Sequence, residues 1–209
     1  MARPSRNVLA AAPLGRAVAA LLAVTAAALL SGGASASPGR PDPHGVGTGQ
    51  GALPPWPAPA DASAAVAAAG LEMLSAEGTV QHTHTHLDVL VDGKPVTVPA
   101  SIGIDEPRRR ISPVHTHDTS GVIHVESPRP AVFTLGQFMA EWRVPLSAEG
   151  IGGLHAGGGR HLTAYVNGRK TPGNPGAIVL RAHDEIALVF TRDADTGPVP
   201  KTYDWPQGL

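Results

Sequence analysis

The stretch that decides the fold reads His82-Thr-His-Thr-His-Leu-Asp-Val-Leu-Val91-Asp-Gly-Lys-Pro-Val96-Thr-Val98. Leu87, Val89 and Val91 alternate with Asp88 and Leu90, a period of two that belongs to a strand. Successive side chains on a strand point to opposite faces. His82, His84 and His86 therefore share one face, and Thr83, Thr85 and Leu87 the other. The Leu/Val row must be the buried one, so the histidines lie on the face opposite it. Asp92-Gly93 tolerates the positive φ of a tight turn, and β-branched Val96 and Val98 follow, so the chain folds back as a hairpin.

Downstream, Val114-His-Thr-His-Asp118 and Val122-Ile-His-Val-Glu126 read as a second hairpin. Its turn, Asp118-Thr-Ser-Gly121, admits two registers. A type I turn with a glycine bulge suits Asp first and Gly fourth; it pairs Asp118 with Val122 and turns His124 away from His115 and His117. A two-residue loop at Thr119-Ser120 instead sets His124 opposite His115. One residue of slip separates the two.

One helix follows. Thr134 caps it with Gln137 three residues on, Leu135, Phe138, Met139 and Trp142 mark one face, and Pro145 stops it. Leu162–Val166, a turn at Asn167-Gly168, and Glu185–Phe190 supply later strands. The glycine-rich stretch Gly150–Gly159 reads as a flexible loop, and the strand after it excludes a phosphate cradle, which needs a helix there. The fold expected is α+β: a small mixed or antiparallel sheet with one main helix packed on it. The ending, Tyr165-Val-Asn-Gly168 through Leu180-x-x-His-Asp-Glu-Ile186 to the last strand, is similar to the second half of ubiquitin-like β-grasp domains.

Outside this core, the chain reads in three parts. Arg3, Arg6 and Arg16 precede an uncharged apolar run, Ala17–Leu30, and small residues end at Ala34-Ser35-Ala36. This is the pattern of a signal peptide over residues 1–36, cut after Ala36. The run falls short of the roughly 20 residues a bilayer span needs, so no stable membrane insertion is expected after cleavage and the protein is expected to be secreted. Residues 37–60 are rich in Pro, Gly and Ala and are expected to be a disordered linker. Residues 61–78 are expected to hold a short Ala-rich helix, capped by Asp61 or Ser63, ended by Gly78 and docked loosely. Residues 79–209 then form a single domain with a C-terminal tail.

Composition narrows the chemistry. The sequence has no cysteine, which excludes disulfides, thiolate zinc sites, iron–sulfur clusters and blue-copper centres. Cleavage would remove three of the sixteen basic residues and none of the seventeen acids, leaving a net charge near −4. That balance argues against a nucleic-acid partner.

Six of the ten histidines, His82, His84, His86, His115, His117 and His124, lie within 43 positions. Neighbours at i and i+2 on a strand stand roughly 6.5–7 Å apart at Cα, close enough for two imidazoles to converge on one ion. Two H-x-H pairs, His84/His86 and His115/His117, with His82 flanking and His124 dependent on the turn, thus form a candidate site for a transition metal. Zinc or copper suits imidazole donors best, with iron and nickel still open. Asp88, Asp118 and Glu126 are the carboxylates near enough to serve as ligands, supports or a general base. His44, His155, His161 and His183 are isolated and read as surface or structural.

Two functional classes fit: a metal-binding protein that saturates its ion, or a metalloenzyme with three histidines and an open position. Six histidines would also suffice for two ions, and a proton-titrating cluster is a further alternative. The motifs His82-Thr-His-Thr-His-Leu-Asp-Val, Val-Asp-Gly-Lys, His115-Thr-His-Asp-x-x-Gly-x-Ile-His-Val-Glu-Ser-Pro and Phe-Thr-Leu-Gly-Gln-Phe resemble those of a group of secreted or lipoprotein-type bacterial proteins. The likeness spans roughly residues 70–209, through Tyr203-Asp-Trp-Pro. It implies the domain limits and carries over no activity. This chain departs from it in lacking a lipid-attachment cysteine.

Overall fold

The computed structural model describes residues 51–192 and 197–209. The expected signal peptide (residues 1–36), residues 37–50 of the expected linker, and His44 lie outside the described residues. The elements in chain order are helix α1 (Ala62–Ala68), strands β1 (Gln81–Val91), β2 (Lys94–Val96), β3 (Ile104–Asp105), β4 (Arg110–Ile111), β5 (Val114–His115) and β6 (Val122–Ser127), and helix α2 (Leu135–Glu141). Strands β7 (Leu146–Ser147), β8 (Gly150–Ile151), β9 (Leu154–His155), β10 (Arg160–Val166), β11 (Arg169–Thr171) and β12 (Glu185–Arg192) follow.

The fold is α+β with a mixed sheet ordered β11-β10-β12-β1-β6-β5, and with β2 also paired to β1. The β1–β2 hairpin turns through Asp92-Gly93, whose φ values of 50° and 74° are those of a primed two-residue turn. β12 then enters parallel beside β1, from His86↔Glu185 to Val91↔Phe190, and β10 and β11 add on antiparallel. Strands β2, β1, β12, β10 and β11 thus lie in the order of a β-grasp sheet.

Length is what sets β1 apart. Its C-terminal half pairs with β12 on one edge and β2 on the other. Its N-terminal half, Gln81–His86, runs past β2 and pairs with β6 along that same edge. β6 and β5 come from the segment between the first hairpin and α2. That insertion widens the sheet over the half of β1 that carries the histidines.

Alternation along β1 is as the sequence implies: Leu87 and Val89 are buried on the core side, with Ile123 and Val125 of β6 and Ile186 and Leu188 of β12. Across them lies α2. Thr134 accepts the Gln137 backbone N–H, and the Gln137 side chain returns to the Thr134 N–H, a complete capping box. Leu135, Phe138, Met139 and Trp142 of its buried stripe join the same cluster. The helix ends before Pro145, because Arg143 takes a left-handed conformation (φ 61°).

Three expectations are corrected. Residues 51–60 are ordered against the domain: Trp56, 2 % exposed, packs edge-on to Trp142 at 5.8 Å and accepts that indole's N–H on its carbonyl at 3.1 Å. Average composition hides what one large aromatic can anchor, and Gly152 makes room for it, since a Cβ there would lie 2.5 Å from the Trp56 ring. Helix α1 is shorter than residues 61–78. It is capped by Asp61 and stops before Gly70 (φ 73°), but Ala65 and Val66 are buried, small side chains allowing close approach to α2. The first part of the glycine-rich stretch is not a loop: β8 and β9 form a three-stranded meander with β7, fixed by fully buried Ile151, and residues 156–159 lie outside it.

Candidate metal centre

Register builds the site. His84 pairs with His124 across β1 and β6, and His115 pairs with His124 across β5 and β6. Directly opposed residues of antiparallel strands share a face with Cβ atoms about 4.5–5.5 Å apart, so His84, His124 and His115 form one row over three strands. His82 and Glu126 form the next. The strands are joined by residues 116–121 rather than by a two-residue loop. The register that sets His124 opposite His115 nevertheless holds, and the glycine-bulge reading that turned His124 away is corrected. Pairing buried Val114 with buried Val125 demands it, because the other register would set Val114 against Glu126.

His124 is the centre of the group. Its ring lies 4.5 Å from that of His84, 4.6 Å from His117 and 5.3 Å from His115, centroid to centroid. Glu126 reaches under the rings: its Oε1 is 3.1 Å from His124 Nδ1, 3.3 Å from His82 Nε2 and 4.0 Å from His115 Nε2. Two sets of donor atoms result, each with all members within 4.8 Å of one another. One is His82, His84, His124 and Glu126; the other is His115, His117, His124 and Glu126. Histidine and glutamate groups of this chain are therefore close enough to hold a metal ion.

The protonation pattern suits that use. His115 Nδ1 donates to the Ser112 carbonyl at 2.9 Å, which leaves the Nε2 lone pair facing His117 Nε2 at 3.1 Å. A backbone carbonyl on the far nitrogen is how metal-binding imidazoles are commonly oriented. His84 Nε2 and Glu126 Oε2 are buried with no hydrogen-bond partner, a costly state that a cation between them would relieve. Burial holds the His84 imidazole down at about 4, with neighbouring His124 and His82 adding to the effect. Burial likewise lowers His124 to about 4, helped by His117 and His82. His115 falls to about 3 by burial, against the opposing Ser112 bond. Burial, then the nearby Glu77 carboxylate, raises Glu126. Buried His84 and His115 form the floor, while His82 (53 %) and His117 (42 %) stand exposed at the rim.

His86 belongs elsewhere. It is not in either set: Nε2 donates to the Ser120 carbonyl at 2.8 Å, and Nδ1 meets Glu185 at 2.7 Å. Burial alone would lower this imidazole, but the Glu185 hydrogen bond and charge, with Ser120 and Asp88, shift it upward. Tyr203 stacks on its ring at 3.9 Å, so the tail covers this end of the face. Gly121 passes so close that a Cβ would lie 2.9 Å from His86 Nε2. With Asp88 and Glu185, His86 forms a third donor group, separated from the row by those bonds. The expected pair His84/His86 is thus divided, and His84 instead groups with His82.

The other candidates are placed as follows. Asp118 accepts the Ser120 N–H at 2.8 Å and shapes the turn. His155 is exposed on β9, and the His183 ring lies 4.9 Å from Trp205. Sequence reasoning missed Glu77, whose Oε1 is 3.5 Å from His117 Nε2, and Glu185. Neither carries a local signal: Glu77 sits in the loop before β1, and Glu185 reaches His86 from the far end of the chain.

Behind the row, the Ser112 hydroxyl donates to fully buried Glu141 at 2.6 Å, while Glu141 Oε2 has no hydrogen-bond partner. Burial pushes this carboxyl up to about 8, against the Ser112 bond. The folded state therefore holds a proton that the unfolded chain releases above its ordinary pKa of about 4.5, and stability falls as pH rises from about 4.5 to 8. Glu141→Gln keeps the size and removes the charge. It is expected to raise the melting temperature at pH 8 and leave it nearly unchanged at pH 4.5; equal effects at both pH values would contradict the assignment.

Comparison with protein-family models, with curated proteins and with solved structures finds no match to the chain.

Proposed function

We propose that this chain is an exported protein that binds zinc or copper(II) on the histidine face of β1, β6 and β5. The observation that carries the reading is the convergence of His82, His84, His115, His117 and His124 around the buried Glu126 carboxylate. Imidazole-rich donor sets suit Zn, Cu(II), Ni and Fe, whereas Cu(I) carriers use thiolates or thioethers. There is no cysteine, and Met139 is buried in the core. Export is inferred from the N-terminal pattern of three arginines, an apolar run and Ala34-Ser35-Ala36. Among the described residues no helix is long and apolar enough to cross a membrane.

Holding an ion is favoured over turning over a substrate. Glu126, the carboxylate nearest the imidazoles, stands at ligand distance among them rather than apart as a free base.

The test is metal content and metal response together. Protein recovered from the exported fraction should begin near Ser37 and contain zinc or copper. After chelation, Zn2+ or Cu2+ should raise its melting temperature, and His155→Ala, outside the face, should respond like wild type. A metal-free native protein whose stability neither ion changes would overturn the reading.

A further inference from the structure

We infer that the face holds two metal ions rather than one, bridged by Glu126, with His82 and His84 on the first ion and His115 and His117 on the second. The inference rests on the proposed metal-binding function and adds stoichiometry and ligand assignment to it.

Two ligands of one ion, with bonds of about 2.0–2.1 Å, stand at most about 4.2 Å apart. The donor atoms divide into two sets that overlap only at His124 and Glu126. Zinc sites of the usual tetrahedral kind take four ligands, and six donors exceed that number. Each rim histidine stands with its own floor histidine: the His82 ring is 5.0 Å from that of His84, and the His117 ring is 4.7 Å from that of His115. His124 lies between the pairs, 4.5 Å from His84 and 5.3 Å from His115.

Glu126 has the properties of a bridge. One oxygen, Oε1, is shared by nitrogens from both sets, His82 Nε2 at 3.3 Å and His115 Nε2 at 4.0 Å. The second, Oε2, is buried and without a hydrogen-bond partner. A carboxylate standing between both sets can bridge two ions at the roughly 3.5–4 Å typical of two-metal sites. The buried, unpartnered His84 Nε2 supplies an independent sign in the first set. A single ion at His115 and His117 would leave that nitrogen without a partner. Five neutral imidazoles and one carboxylate would leave two divalent cations with a net positive charge, which a small anion at the exposed rim would offset.

The experiment loads chelated protein with Cu2+, counts copper per chain and records electron paramagnetic resonance. Two ions per chain are expected, with a spin signal well below the copper content and a half-field transition, since unpaired electrons a few ångströms apart couple. His82→Ala and His117→Ala alter rim positions and spare the packed floor. Each is expected to leave one copper with an uncoupled spectrum, and the coordination signatures of the two remaining ions should differ. Glu126→Gln should weaken the coupling, because the through-bond path is lost. One copper per chain in wild type, weakened alike by both rim variants, would overturn the two-ion assignment while leaving the metal-binding function standing. Two coppers with a full, uncoupled signal would overturn the bridge. No copper or zinc bound at all would overturn both.

Discussion

Replacing His124 with alanine is expected to weaken zinc or copper(II) binding by more than about 100-fold, since groups that only orient a ligand are already worth about 10–100-fold. This loss should exceed that of His82→Ala or His117→Ala. His124 and Glu126 are common to both donor sets, whereas His82, His84, His115 and His117 each belong to one. Its ring touches three neighbours, so its removal also frees those imidazoles to turn away. Calorimetric titration of the chelated variant, beside its melting curve without metal, separates affinity from folding. The metal-free variant should melt close to wild type, because imidazoles that depress one another's protonation by burial and proximity contribute little to an empty site. Near wild-type affinity in His124→Ala would remove this residue from the centre.

Why His124 holds that place shows what sequence can and cannot reveal. Alternation along β1 was enough to put His82, His84 and His86 on one face and Leu87 and Val89 in the core, because a period of two leaves no other half-buried arrangement. Asp92-Gly93 likewise named its turn. The second hairpin was ambiguous from its turn residues, yet its core residues resolve it: Val114 must meet Val125, and His115 then meets His124. Burial outranks turn preference when one residue of slip would bring a carboxylate against the core. The β1 extension explains the rest of the face, since the strands inserted between the first hairpin and α2 pair along it. The division of His82/His84 from His86 had no local signal at all. It depends on the parallel pairing that sets Glu185 beside His86. Trp56 was hidden for a different reason: the prolines around it suggested disorder, and its seat over Gly152 exists only after the meander forms.

The same burial that gathers the histidines should make binding unusually tolerant of acid. A proton and a metal ion compete for each imidazole nitrogen. An ordinary histidine of pKa about 6.5 is about 97 % protonated at pH 5, and three such ligands would together cost about 10⁴ in affinity between pH 7 and pH 5. Burial holds His84 and His124 at about 4 and His115 at about 3. Lowered values favour the neutral, ligating form, so at pH 5 these three remain mostly unprotonated and together cost less than about tenfold. Affinity should fall steeply only as pH drops below about 4, where protons enter the floor of the site. The cleanest measurement uses the His82→Ala variant, in which one donor set, His115, His117, His124 and Glu126, stays whole. Its copper(II) affinity, titrated calorimetrically at pH 7, 6 and 5, should fall by far less than about 10⁴. A loss near 10⁴ would mean that these imidazoles titrate like exposed ones, and that the buried floor does not exist in solution as described.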